Sequence, residues 1–168
     1  YFIKEEGWQE VFEHWRNEME LWMTEVLGLK KKDIHELDVP ADELAHYSKK
    51  TIDFEYEFPF GKKELYGLAY LTDFDLKNHF KEGAPYHDPE TGEKSYPHVV
   101  EPTFGVDRSV LAVLCDAYAE EEERVVLKLK PRLAPYKAAV FPLLKNKPEL
   151  VEKARAIYDD LRKDMMAA

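Results

Sequence analysis

Four residues in one short run, Val99-Val100-Glu101-Pro102-Thr103-Phe104-Gly105-Val106-Asp107-Arg108, carry the chemistry that stands out in this chain. The first half alternates like a strand, so Glu101, Thr103 and Gly105 share one face. The second half has helical period, which predicts a helix to about Ala119 with Val106, Val110, Val113, Leu114 and Ala117 on its buried side. A carboxylate and a hydroxyl thus sit beside a side-chain gap, and an arginine follows on the first turn of a helix. Carboxylates suit small ammonium groups and guanidinium suits phosphate, provided that rigid elements hold them. The competing reading is an ordinary strand–turn–helix corner whose Glu and Arg are solvated or paired together.

The elements that must position these residues follow from periodicity. Trp8, Val11, Phe12, Trp15, Met19, Trp22, Met23 and Val26 recur at three and four, which predicts a helix over 7–27 stopped by Gly28. The segment 30–42 reads as a solvated connection. From Thr51 to Phe58, Ile52, Phe54, Tyr56 and Phe58 alternate with Asp53, Glu55 and Glu57. Pro59-Phe60-Gly61 turns the chain into a second strand, about 63–71, where strict alternation puts Glu64, Tyr66, Leu68 and Tyr70 on one face. Gly67 in mid-strand marks a place where a ligand or another backbone approaches closely. Thr72 is the expected cap of a short helix over 73–80. Residues 81–94 read as a loop with turn chemistry at His87-Asp-Pro-Glu-Thr-Gly92, and 96–104 as the next strand.

Beyond the motif helix, Glu120–Glu123 reads as a solvated acidic run and Val125–Leu129 as a short strand. Pro131-Arg-Leu-Ala-Pro135 breaks the chain. Lys137–Leu144 is strand-like, and Pro148 opens a helix to about Lys163 with Leu150, Val151, Ala154, Ile157, Tyr158 and Leu161 inward. The fold class expected is α+β: an antiparallel sheet flanked by helices, then the opening βα unit of an α/β domain.

Composition narrows the field. The chain has 168 residues, enough for one domain with a real core, and 45% hydrophobic residues with 13% aromatics fit a folded globule. A net charge of −10 argues against a dedicated nucleic-acid clamp. Arg124, Lys128, Lys130, Arg132, Lys137, Lys145 and Lys147 nonetheless follow one another with no acid between them; that stretch reads either as a surface facing RNA or as an ordinary solvated linker. Cys115 is the single cysteine, which excludes an intrachain disulfide and a thiolate metal site, and the histidines show no metal-ligand spacing. No apolar run is long enough to span a membrane. Tyr1-Phe2-Ile3 reads as the tail of a strand and the last helix stops at Met-Met-Ala-Ala, so the sequence reads as part of a longer protein.

Gly-Val-Asp-Arg opening an apolar helix after Glu-Pro-Thr resembles motif 3 of the class II aminoacyl-tRNA synthetases, and most of all the homodimeric glycyl-tRNA synthetases. Three further stretches share the resemblance, in the family's order: Glu43-Leu-Ala-His-Tyr-Ser48 with Asp53-Phe-Glu-Tyr-Glu-Phe-Pro-Phe-Gly61; Glu64-Leu-Tyr-Gly-Leu-Ala69 with Thr72-Asp-Phe-Asp-Leu76; and Leu127-Lys-Leu-Lys-Pro-Arg-Leu-Ala-Pro135. The resemblance implies a class II catalytic domain, later part, over 1–133, with motif 3 at 99–114, and the start of an anticodon-binding domain over 134–168. It implies a cytoplasmic translation enzyme, without a membrane partner, that activates glycine with ATP and Mg2+ and transfers it to tRNA(Gly), as a homodimer when full-length. Position by position it implies that Glu101 and Thr103 bind glycine, that Arg108 and Gly105 meet ATP, and that Glu64 lies near the ATP ribose and a possible Mg2+, with Arg108 and Glu64 serving catalysis. Thr103 stands where the family usually has serine, and Leu71 where it usually has arginine. Motifs 1 and 2, the latter with its α-phosphate arginine, are not among the matching stretches. Two alternatives stand beside the ligase reading: a non-catalytic accessory protein on a synthetase fold, such as a DNA polymerase accessory subunit, and a structural fragment.

Overall fold

The structure is a computed structural model and describes residues 1–80 and 86–165. It has two compact units, Tyr1–Leu127 and Lys128–Ala168. The first is α+β, as expected. It opens with a two-residue strand, β1 (Phe2–Ile3), then α1 (Trp8–Leu21), which continues as a π-helical turn over Trp22–Leu27. The Thr24 hydroxyl donates to the Glu20 carbonyl at 2.9 Å, a side-chain bond that competes with the regular ladder where the helix widens. Gly28, at φ 80°, ends the helix in the left-handed conformation that its missing side chain permits.

Three strands then make the sheet's long ribbons: β2 (Ile34–Asp38), β3 (Lys50–Phe58) and β4 (Gly61–Thr72). β2 corrects the reading of 30–42 as a solvated connection. It is an edge strand with no residue buried, so it lacks the apolar alternation that marks a strand in sequence; pairing to β3 makes it one. A short helix, α2 (Phe74–His79), follows; Thr72 Oγ1 accepts the Phe74 amide at 3.3 Å, but Asp73 holds the cap position itself. Of the expected loop 81–94, residues 81–85 lie outside the described residues. The rest is a small ribbon of β5 (Tyr86–His87) and β6 (Lys94–Ser95), turned where Asp88 Oδ1 accepts the amides of Glu90 and Thr91. Then come β7 (His98–Phe104) and α3 (Val106–Ala117). A hairpin of β8 (Tyr118–Glu121) and β9 (Arg124–Leu127) closes the unit. The acidic run is therefore half strand, held by backbone pairing and by Arg124 Nε donating to Glu121 at 2.8 Å.

The large sheet is antiparallel throughout, in the order β1-β7-β4-β3-β2. One face is dry. Ile52, Phe54, Tyr56 and Phe58 of β3, Tyr66, Leu68 and Tyr70 of β4 and Val100 of β7 are buried on it, with Phe12, Met19 and Met23 from the α1 stretch. Trp8 stacks on Tyr70 with centroids 4.2 Å apart, and Trp22 meets Phe104 edge-on. The other face carries Asp53, Gly67, Ala69, Glu101 and Thr103, which the register places side by side.

Helix α3 departs from expectation. Of the residues expected inward, Ala117 is buried and Val113 half-buried, but Val106, Val110 and Leu114 are exposed, Val106 at 76%, and Ala112 is buried in their place. The contacts that orient it are polar, from Tyr56 and Tyr66. In the second unit, α4 (Pro148–Leu161) begins with proline in its first turn, and none of its residues is fully buried, Val151 and Ile157 being exposed. The expected strand over 137–144 does not form, so the βα unit reduces to its helix. The described residues of this unit offer no strand to pair with it, and Phe141 and Leu143 stand more than 80% exposed.

Phe54 is fully buried at the centre of the dry face. Phe54→Ala is expected to lower unfolding free energy by about 3–5 kcal/mol, read from urea midpoints at unchanged m-value.

Candidate functional site

The open face owes its composition to a bulge. Phe54 pairs with Tyr66, but the next residue, Glu55, pairs with Glu64, so Leu65 is an extra residue in β4. Strict alternation would put Glu64 with Tyr66 on the dry face. The inserted residue reverses the parity and turns Glu64 to the side of Asp53 and Glu55. This corrects the expected grouping of Glu64 with Tyr66, Leu68 and Tyr70. Apolar burial explains the insertion: Leu65 and Tyr66 are neighbours and both are buried.

Arg108 meets Glu64 there, Nη1 donating to Oε1 at 2.8 Å. Both side chains are about half exposed, and such pairs contribute only about 0–1 kcal/mol. The backbone must therefore set the position. A run of hydrogen bonds does so: Trp22 Nε1 donates to Tyr66 Oη at 3.2 Å, Tyr66 and Ser109 hydroxyls meet at 2.5 Å, and Ser109 Oγ donates to the Gly105 carbonyl at 2.6 Å. This run ties α1, β4 and the first turn of α3 together. Gly105 lies under the Arg108 stem, since a Cβ there would come within 3.3–3.5 Å of the arginine's methylenes.

Along β7, Thr103 Oγ1 donates to Glu101 Oε1 at 3.0 Å, both on the open face. Glu101 lines a cavity of about 460 Å3, with Asp53, Ala69 and Leu71 from the sheet and Glu43, Tyr47 and Ser48 from the preceding loop. Ser48 Oγ bonds Thr51 Oγ1 at 2.8 Å, which seats that loop on β3. Thr103, Glu64, Gly105 and Arg108 lie outside the cavity lining. Gly67 pairs with Thr103 on one side and Asp53 on the other, and so separates the cavity from the Glu64–Arg108 pair.

All the sequence-chosen residues thus gather along one face and its end. Asp53 is the residue that sequence reasoning passed over, because alternation alone makes it one of several solvent-facing acids. Only the cross-strand register places it opposite Gly67. Burial first, then the charges of Glu64 and Glu55, push its carboxyl above the ordinary aspartate range. Among the described residues, no group of three or more histidines, cysteines or acids converges as a metal site, and no helix is long and apolar enough to cross a membrane.

No family model matches the chain. It is 44% identical over 169 residues to the glycine–tRNA ligase of Ureaplasma parvum, 47% over 174 residues to that of Caldanaerobacter subterraneus and 42% over 183 residues to that of Thermus thermophilus. These alignments take in 94–99% of the chain. The chain belongs to the glycine–tRNA ligase family. It spans 35–37% of the length of these curated relatives.

For a member of this family, the uncompensated acid on the open face has a consequence for stability. Where a carboxyl's folded-state pKa is raised, the folded chain keeps a proton that the unfolded chain releases. Stability then falls as pH rises from the ordinary aspartate range through the raised value. Asp53→Asn removes that penalty. Its Tm is expected above wild type at neutral pH, with the difference vanishing below the ordinary aspartate range; calorimetry at the two pH values checks this, and equal Tm at neutral pH refutes it.

Proposed function

We propose that this chain supplies part of the active site of a glycine–tRNA ligase: ATP-dependent activation of glycine and its transfer to tRNA(Gly). The observation that supports this most is the Glu64–Arg108 pair on the face that holds Glu101 and Thr103. Glu101 receives the ammonium of glycine, with Thr103 holding its carboxylate in place by the hydroxyl bond already made. Charge-assisted hydrogen bonds of this kind are about twice as strong as neutral ones. Arg108 releases Glu64 in part and grips ATP phosphate, which its planar fork fits. Gly105 lets the arginine stem lie against the chain, and Glu64 turns to the nucleotide side.

Adenylyl transfer depends on alignment and charge stabilisation, not on a protein nucleophile, and the face offers both. Mg2+ would enter with ATP, held mainly by phosphate oxygens with Glu64 as a single protein ligand, and would neutralise developing phosphate charge. Residues 1–133 would then form the later part of the catalytic domain. Residues 134–168 would begin the anticodon-binding domain, and the whole enzyme would act as a homodimer.

A second reading, a non-catalytic accessory protein on the same fold, is favoured by one observation. Leu71, which replaces the family's usual arginine, lines the cavity beside Glu101, and leucine makes no ionic contact with a carboxyl or phosphate.

Calorimetric titration with glycyl-sulfamoyl-adenosine separates the two. Binding heat is expected for the ligase reading, lost in Arg108→Ala and in Glu101→Gln; no heat from the wild-type chain selects the scaffold. Thr103→Ser keeps the hydroxyl and is expected to bind the same probe within about tenfold of wild type, or about 1.4 kcal/mol. Because the α-phosphate arginine of motif 2 is not among the matching stretches, the 168-residue polypeptide alone is expected to show no glycine-dependent pyrophosphate exchange. Exchange at ordinary synthetase rates would falsify that.

A further inference from the structure

Gly67 has no reason within the chain to be glycine. Its φ is not in the left-handed region. A Cβ built there would meet one atom within 4 Å, Asp53 Oδ1 at 3.8 Å, an ordinary contact. Glycine in a strand interior is destabilising by roughly 0.5–1 kcal/mol relative to alanine. The empty space over this residue therefore serves something outside the chain.

Its neighbours indicate what. Gly67 and Ala69 occupy the open face of β4 with the smallest side chains available, between Asp53 on β3 and Thr103 and Glu101 on β7. Strands lie about 4.8 Å apart, so a small molecule lying on β4 has an acid on each side. The acids differ in their partners. Glu55 meets Lys62 at 3.3 Å, Glu64 meets Arg108 at 2.8 Å and Glu101 accepts from Thr103. Asp53 has no hydrogen-bond or ion-pair partner among the described residues, although Gly67 leaves its Oδ1 open to one. Burial first, then the charges of Glu64 and Glu55, already raise its pKa, and a cation placed there would offset those charges. Any ligand that touches both Glu101 in the cavity and Arg108 at the end of the face must pass over Gly67.

We propose that Gly67 is the floor on which the amino acid lies, its missing side chain being the space the substrate fills, and that Asp53 is a substrate-binding residue that takes the ammonium from the side opposite Glu101. This rests on the glycine-activating reading above. It adds a specificity determinant: the substrate is limited to the smallest amino acid partly because the protein leaves one side chain's worth of room over β4.

The test uses the 168-residue chain, glycyl-sulfamoyl-adenosine and, separately, ATP, both by calorimetry, with Tm as the check on folding. Gly67→Ala is expected to weaken glycyl-sulfamoyl-adenosine at least tenfold, to leave ATP within twofold and to keep or raise Tm. Asp53→Asn is expected to weaken the same probe about tenfold, also without loss of Tm. Wild-type affinity for the probe in either variant overturns the assignment of that residue, and so does an equal loss for both ligands. Those results leave the ligase reading standing as long as the wild-type chain binds the probe. A wild-type chain that binds neither ligand overturns that reading and this proposal with it.

Discussion

One inserted residue in a strand controls the chemistry of the open face. Side chains alternate across a sheet, so a single extra residue exchanges which of them point to solvent and which to the core. At Leu65 that exchange lets two consecutive apolar residues, Leu65 and Tyr66, both be buried. It also turns Glu64 away from the core, where a carboxylate would have to lose its hydration, and toward Arg108. Without the bulge, Glu64 would lie among Tyr66, Leu68 and Tyr70 on the dry face, away from Arg108.

The dry face gives the open face its rigidity. Trp8 against Tyr70 and Trp22 against Phe104 and Tyr66 lock the α1 stretch onto β4 and β7. The hydroxyls of Tyr66 and Ser109 extend that lock to the backbone of Gly105, one helical turn from Arg108. Aromatic residues that read in sequence as plain core thus have a second effect. Their polar ends fix the corner on which the guanidinium is mounted, and a half-exposed ion pair could not do this alone.

The face is also electrostatically unfavourable as it stands. Asp53, Glu55, Glu64 and Glu101 share it, and Asp53 is the one left uncompensated among the described residues. Holding these acids together carries a penalty in folding stability, which Asp53 shows by its raised pKa.

The sequence by itself determined the α+β class, the helix over the α1 stretch, the hairpin of β3 and β4, and the strand–helix corner with Glu101, Thr103 and Arg108, because apolar periodicity and glycine punctuation act locally. Tertiary structure decided the rest. The edge strand β2 exists because β3 offers it a continuous hydrogen-bonding partner, while 137–144, no less strand-like in sequence, forms no strand and is irregular apart from a single bridge at Ala138. Helix α3 keeps Ala117 of its expected stripe inward but buries Ala112 in place of Val106, Val110 and Leu114, with Tyr56 and Tyr66 bonded to its polar residues. The side of the sheet taken by Glu64, and the placing of Asp53 opposite Gly67, follow from register, a relation between strands that no single stretch of sequence contains.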